Sequence, residues 1–126
     1  MFPVPTILVV DDEEPLRRYM ARVLEDAGYR VLLARNGLEG LTLFERPSPR
    51  VHLVVTDVQM PLMTGPELAA CLARGPALPP VLYVTGGDDG VSGPLLRKPF
   101  SPTDLVEMVQ LLLLQGPAPP GVLERC

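Results

Sequence analysis

Two apolar runs in this chain break off at acidic residues, and that pattern constrains the fold more than any other feature. Ile7-Leu8-Val9-Val10 runs without alternation into Asp11-Asp12. Val51-His52-Leu53-Val54-Val55-Thr56 runs in the same way into Asp57. A strand with one face in water alternates apolar and polar residues, whereas a continuous run suits a parallel strand buried on both faces. Val31 to Ala34, Val81 to Thr85 and the short Leu95-Leu96-Arg97 read as further strands. Helical spacing falls between them. Leu16, Met20, Val23, Leu24 and Ala27 follow Pro15 and stop at Gly28, a start and a stop with physical causes. Leu38 to Glu45, with Leu41 and Phe44 facing inward, and Pro66 to Ala73 read as two more helices. Ser101, Pro102 and Asp104 form a helix start ahead of the stripe Leu105, Met108, Val109, Leu112 and Leu113. Strands alternating with helices predict an α/β fold, a five-stranded parallel sheet doubly wound with helices on both faces.

At 126 residues the chain has the size of one domain. Its 47% hydrophobic and 21% charged residues exclude a mainly disordered chain. The net charge of −4 lacks the basic footprint of a nucleic-acid binder. Cys71 and Cys126 have neither the spacing nor the histidine company of a zinc site, so Cys71 is expected to pack on its helix and Cys126 to be a free thiol. No apolar run is long enough to span a membrane, and the first residues lack the pattern of a signal peptide. A cytoplasmic, soluble protein is the expectation. Residues 1–115 make the expected domain, and 116–126, beginning Gly116-Pro117-Ala118-Pro119-Pro120-Gly121, a tail or linker too short for an output domain.

In an open parallel sheet, ligands bind at the carboxyl ends of the strands. Those ends carry Asp11 and Asp12, Asp57, Thr85 and Lys98. Clustered carboxylates repel one another unless a cation compensates. A hard divalent ion with oxygen ligands, Mg²⁺ above all, fits them, and the lysine suits a phosphoryl oxygen.

With LVVDDE, VVTDVQMP, VTG and LRKPF in order at the strand ends, the chain resembles the response-regulator receiver family, the CheY-like domains of two-component signalling, over roughly residues 5 to 115. The resemblance implies a flavodoxin-like strand order 2-1-3-4-5. It implies that Asp57 accepts a phosphoryl group from a phosphohistidine, and that Asp12 and Asp57 bind Mg²⁺ directly, Asp11 through water and Gln59 through its backbone carbonyl. Lys98 would pair with Asp57 and then with the phosphoryl oxygens, and Thr85 would report the phosphoryl group. The Lys98–Pro99 bond would be cis. Position 59 and Gly87 would tune hydrolysis of the phosphoryl group. The implied partner is a sensor histidine kinase or a histidine phosphotransfer protein, with a downstream protein target and no nucleic acid or membrane. The chain would be a monomer or weak dimer, either a free-standing regulator or the receiver of a hybrid histidine kinase. It would be no enzyme beyond its own phosphorylation and dephosphorylation.

Two departures from the family stand out. The interval between Thr85 and Lys98 is short, and Gly86, Gly87, Gly90, Gly93 and Pro94 oppose a helix there, at about 1 kcal/mol per glycine and about 3 for an interior proline. The fourth helix of the family is therefore expected to be missing or much shortened. Leu95 stands where the family has a switch aromatic. These departures keep a second reading open, a degenerate receiver that signals by binding alone. A phosphohydrolase is disfavoured, because Gln59 replaces the acid such enzymes need two residues after the nucleophile. His52, the single histidine, is expected to be an exposed strand residue rather than a phosphorelay site, and Tyr83 and Phe100 are expected to be core residues.

Overall fold

The computed structural model describes residues 4–75, 78–87 and 90–116. Their order is β1 (Thr6–Val10), α1 (Glu14–Asp26), β2 (Arg30–Ala34), α2 (Gly37–Glu45), β3 (Leu53–Asp57), α3 (Gly65–Leu72), β4 (Val81–Thr85), β5 (Leu95–Arg97) and α4 (Pro102–Gln115). All neighbouring strands pair in parallel, in the order β2-β1-β3-β4-β5.

The unbroken apolar runs have the physical cause expected of them. Successive strand residues point to opposite faces, and in β1 and β3 both faces are covered. Ile7, Val9, Leu53 and Val55 pack with Met20 and Leu24 of α1 and Leu105, Val109 and Leu112 of α4. Leu8, Val10 and Val54 pack on the other face with Leu68 and Leu72 of α3. Burying the central strands on both sides leaves their carboxyl ends as the place where polar side chains gather.

Helix ends follow local chemistry. Gly28, at φ 101°, closes α1, and the Tyr29 N–H reaches the Leu24 carbonyl at 3.1 Å. Ser101 and Asp104 form the expected reciprocal cap of α4. Among the described residues no helix stands between β4 and β5, as the glycines and Pro94 dictate. Among the described residues, an apolar cluster of Val58, Ala69 and Tyr83, with Val81, Val91 and Leu95 packed against it, covers the sheet there. Phe100 packs against the main core, its ring 6.3 Å from that of Tyr19. Lys98–Pro99 is cis.

Two expectations are corrected. Asp57 belongs to β3, which starts at Leu53 rather than Val51. His52 is half-buried, and its Nδ1 accepts the Thr6 N–H at 3.0 Å. It therefore pairs the first amide of β1 instead of facing water. The free thiol expected at Cys126 and nearly all of the 116–126 tail lie outside the described residues.

Candidate phosphoacceptor and metal site

β1 and β3 are neighbours, paired from Ile7–Leu53 to Val10–Thr56. This register brings Asp11 and Asp12 beside Asp57. One oxygen from each of the three carboxyls lies within 4.8 Å of the others. Asp57 and Asp11 are buried, while Asp12 is exposed at the mouth. Asp57 is fixed from both sides, by its register pairing with Val84 of β4 and by the turn that follows, where the Gly65 N–H donates to the Val58 carbonyl at 2.9 Å. The Val58 N–H donates to the Val84 carbonyl at 3.2 Å, and the Val58 and Gln59 backbone amides, close to the Asp57 carboxyl, favour its charged form.

Lys98 enters from the end of β5, where its N–H donates to the Thr85 carbonyl at 2.8 Å. Its Nζ stands 3.6 Å from Asp57 Oδ2 and 3.7 Å from Glu13 Oε1. Thr85 ends β4, one residue past the partner of Asp57, and its hydroxyl oxygen accepts the Gly87 N–H at 3.1 Å. The Gly87 carbonyl accepts from Arg97 Nη1 at 2.9 Å. The structure thus brings Asp11, Asp12, Asp57 and Lys98 into one cluster and puts Thr85 on the same rim. Gln59 is exposed in the turn, with its N–H directed at Asp57.

Burial and crowding push the acids upward. Removal from water raises the Asp11 carboxyl to about 6, with the nearby Asp57 and Asp12 charges adding to the effect and the Glu13 N–H and Lys98 opposing it. Asp57 is raised by the same burial and by Asp12, against the pull of Lys98 and of two backbone N–H groups. Asp11 Oδ1 accepts the Glu13 N–H at 2.8 Å. Asp11 Oδ2 is buried with no hydrogen-bond partner, a costly state for a carboxylate oxygen. An oxygen-only donor set of three acids, one with an unsatisfied oxygen, fits a hard divalent cation of the Mg²⁺ type. Asp11 and Asp12 with Asp57 would hold it.

Three participants escaped sequence reasoning. Glu13 reaches Lys98. Arg17 Nη1 donates to the Asp11 carbonyl at 2.7 Å. Gly65 lies so close to the Asp57 carbonyl oxygen that a Cβ there would collide with it. Glu13 continues the acidic run of Asp11 and Asp12, and that adjacency was the one available signal.

Comparisons with known proteins converge on one family. The model of the response regulator receiver domain matches residues 7–110. The "probable transcriptional regulator ycf27" of Cyanophora paradoxa is 37% identical over 115 residues, which cover 85% of this chain and 47% of that protein. Among solved structures, the receiver domain from hybrid histidine kinase CckA is 37% identical with a TM-score of 0.76, covering 86% of this chain and 98% of that one. A response regulator receiver domain protein from Clostridium thermocellum is 27% identical with a TM-score of 0.80, covering 89% and 96%. The chain spans about half the length of the first curated relatives it matches.

Proposed function

The chain belongs to the response regulator receiver family, and from that premise we propose that Asp57 accepts a phosphoryl group from a phosphohistidine of a sensor histidine kinase or a histidine phosphotransfer protein. The family places the chain in two-component phosphorelay signalling. The observation that carries the assignment to Asp57 is its position. It is a buried carboxyl at a strand end, with Lys98 on one side and the Asp11–Asp12 pair on the other.

In the proposed transfer an Asp57 carboxylate oxygen forms a bond to phosphorus as the P–N bond to the imidazole breaks, and the imidazole leaves with the bonding electrons. Lys98 and the backbone N–H groups of Val58 and Gln59 favour the ionised, attacking form of the Asp57 carboxyl, against the burial that raises it. Asp12 and Asp57 directly, Asp11 through water and the Gln59 carbonyl would hold Mg²⁺. That ion supplies neutralisation of the charge gathering on the phosphoryl oxygens. Thr85 turns its hydroxyl to a phosphoryl oxygen and gives up the Gly87 N–H. The loop after β4, held also by Arg97, then takes the reporting role that a fourth helix and an aromatic fill elsewhere in the family.

Gln59 offers no general acid or base for attack on external phosphate esters, so the domain acts as an acceptor, limited to its own phosphorylation and dephosphorylation. Its output is contact with another protein in the cytoplasm. The lack of a helix between β4 and β5 among the described residues, and Leu95 in place of an aromatic, favour one competing reading, a receiver that binds its target without phosphorylation. Incubation with acetyl phosphate and Mg²⁺, read by intact mass, separates the two. Phosphorylation of the wild type and its loss in Asp57→Asn is the expected result. Equal labelling of both proteins would overturn the acceptor assignment, and an unlabelled wild type would favour the binding-only reading.

A further inference from the structure

Lys98 has two acidic neighbours. Its ammonium lies 3.6 Å from Asp57 Oδ2 and 3.7 Å from Glu13 Oε1. Both are ion-pair distances, longer than the usual reach of a charge-assisted hydrogen bond. The ammonium is therefore suspended between the two carboxylates rather than docked on the acceptor. The two acids differ in setting, with 9% of the Asp57 side chain exposed against 65% for Glu13. One partner lies at the bottom of the site and the other at its mouth.

Glu13 is also the odd residue among the helix starts. Asn36, Thr64 and Ser101 each cap their helix with a side-chain oxygen. Glu13 occupies the same position on α1 and makes no side-chain cap. Its backbone is held all the same, with the N–H on Asp11 Oδ1 at 2.8 Å and the carbonyl accepting the Arg17 N–H at 2.9 Å. A fixed backbone, a side chain not used for capping and a carboxylate at Lys98 together describe a group that serves the site rather than the helix.

We infer that Glu13 is a positioning residue for phosphoryl transfer: it draws Lys98 toward the mouth and sets a negative charge beside the path of the incoming phosphoryl group. This inference rests on Asp57 being the acceptor. Before transfer, Glu13 competes with Asp57 for the ammonium. As the O–P bond to Asp57 forms and the donor's bond to phosphorus breaks, the leaving group takes the electron pair and the phosphoryl oxygens claim Lys98 from Glu13. A free dianionic donor must approach against the Glu13 charge. Glu13 therefore makes the site discriminate among small donors by their charge.

The test compares phosphorylation rates of the full chain with Mg²⁺ and either acetyl phosphate, a dianion, or phosphoramidate, which carries less negative charge. Wild type, Glu13→Gln and Glu13→Asp are measured at low and high salt. Glu13→Gln is expected to react with acetyl phosphate about three- to tenfold faster than wild type at low salt. The gain should shrink at high salt, where mobile ions screen exposed charges, and should be smaller with phosphoramidate. Glu13→Asp, which keeps the charge, should stay near the wild-type rate. Unchanged rates in Glu13→Gln, or a gain equal for both donors and insensitive to salt, would overturn the inference. A folded wild type that takes phosphoryl from neither donor would instead remove the acceptor assignment, and this inference with it.

Discussion

Asp11 is fully buried and keeps one carboxylate oxygen without a hydrogen-bond partner. Burial first, and then the neighbouring Asp57 charge, lift its carboxyl from 3.8 to about 6. A raised acid binds its proton more tightly when folded than when unfolded, so the penalty is absent below the unfolded value of 3.8 and complete above about 6. At neutral pH it amounts to roughly 3 kcal/mol. Metal-free protein should therefore resist urea better at pH 5 than at pH 7, and Asp11→Asn should show a smaller rise. Urea midpoints in the presence of a chelator check this, and parallel pH profiles for the two proteins would contradict it. Asp11 was legible in the sequence because its role depends on being next to a strand end. His52 was not, since its partner Thr6 lies 46 residues away and no local pattern announces a tertiary hydrogen bond. Glu13 was passed over for a related reason: an acid before a helix reads as a cap until the lysine from β5 is in place.

The turn from β3 into α3 shows how an element serves the site. Gly65 opens α3, its N–H bonded to the Val58 carbonyl and its Cα pressed against the Asp57 carbonyl oxygen. The glycine is needed for space, because any Cβ meets backbone that cannot step aside. Gly65→Ala is expected to cost about 2 kcal/mol or more by overpacking and to slow phosphorylation by displacing Asp57. A wild-type urea midpoint in this variant would refute the close-approach argument. The sequence showed a turn here but not why it ends in glycine, and it set the helix start at Pro66 although Thr64 and Glu67 carry the same capping signal as Ser101 and Asp104. The stretch between β4 and β5 was more legible. Glycine and proline act on backbone conformation locally, so the loss of a helix there could be read without tertiary information.

At the level of the whole molecule, alternation of strands and helices reveals a parallel sheet but leaves the strand order open, because the crossovers that set it leave no periodic trace. The order β2-β1-β3-β4-β5 became legible only through the motif resemblance. It matters because β1, β3 and β4 are adjacent in this order and both faces of β1 and β3 are buried, so Asp11, Asp12 and Asp57 already share one rim, with a carboxylate oxygen of each within 4.8 Å of the others, before any ligand arrives. A ligand that binds this preformed cluster, and not the unfolded chain, stabilises the protein by mass action, about 2.7 kcal/mol at a hundredfold excess over its dissociation constant. Mg²⁺ should therefore raise the Tm in a concentration-dependent way, beyond the change produced by a monovalent salt at equal ionic strength. Asp12 is exposed, so Asp12→Asn removes one ligand without disturbing the core, and its Tm should respond far less. A wild-type Tm indifferent to Mg²⁺, or an equal response in Asp12→Asn, would show that the three carboxylates share a rim without sharing a cation.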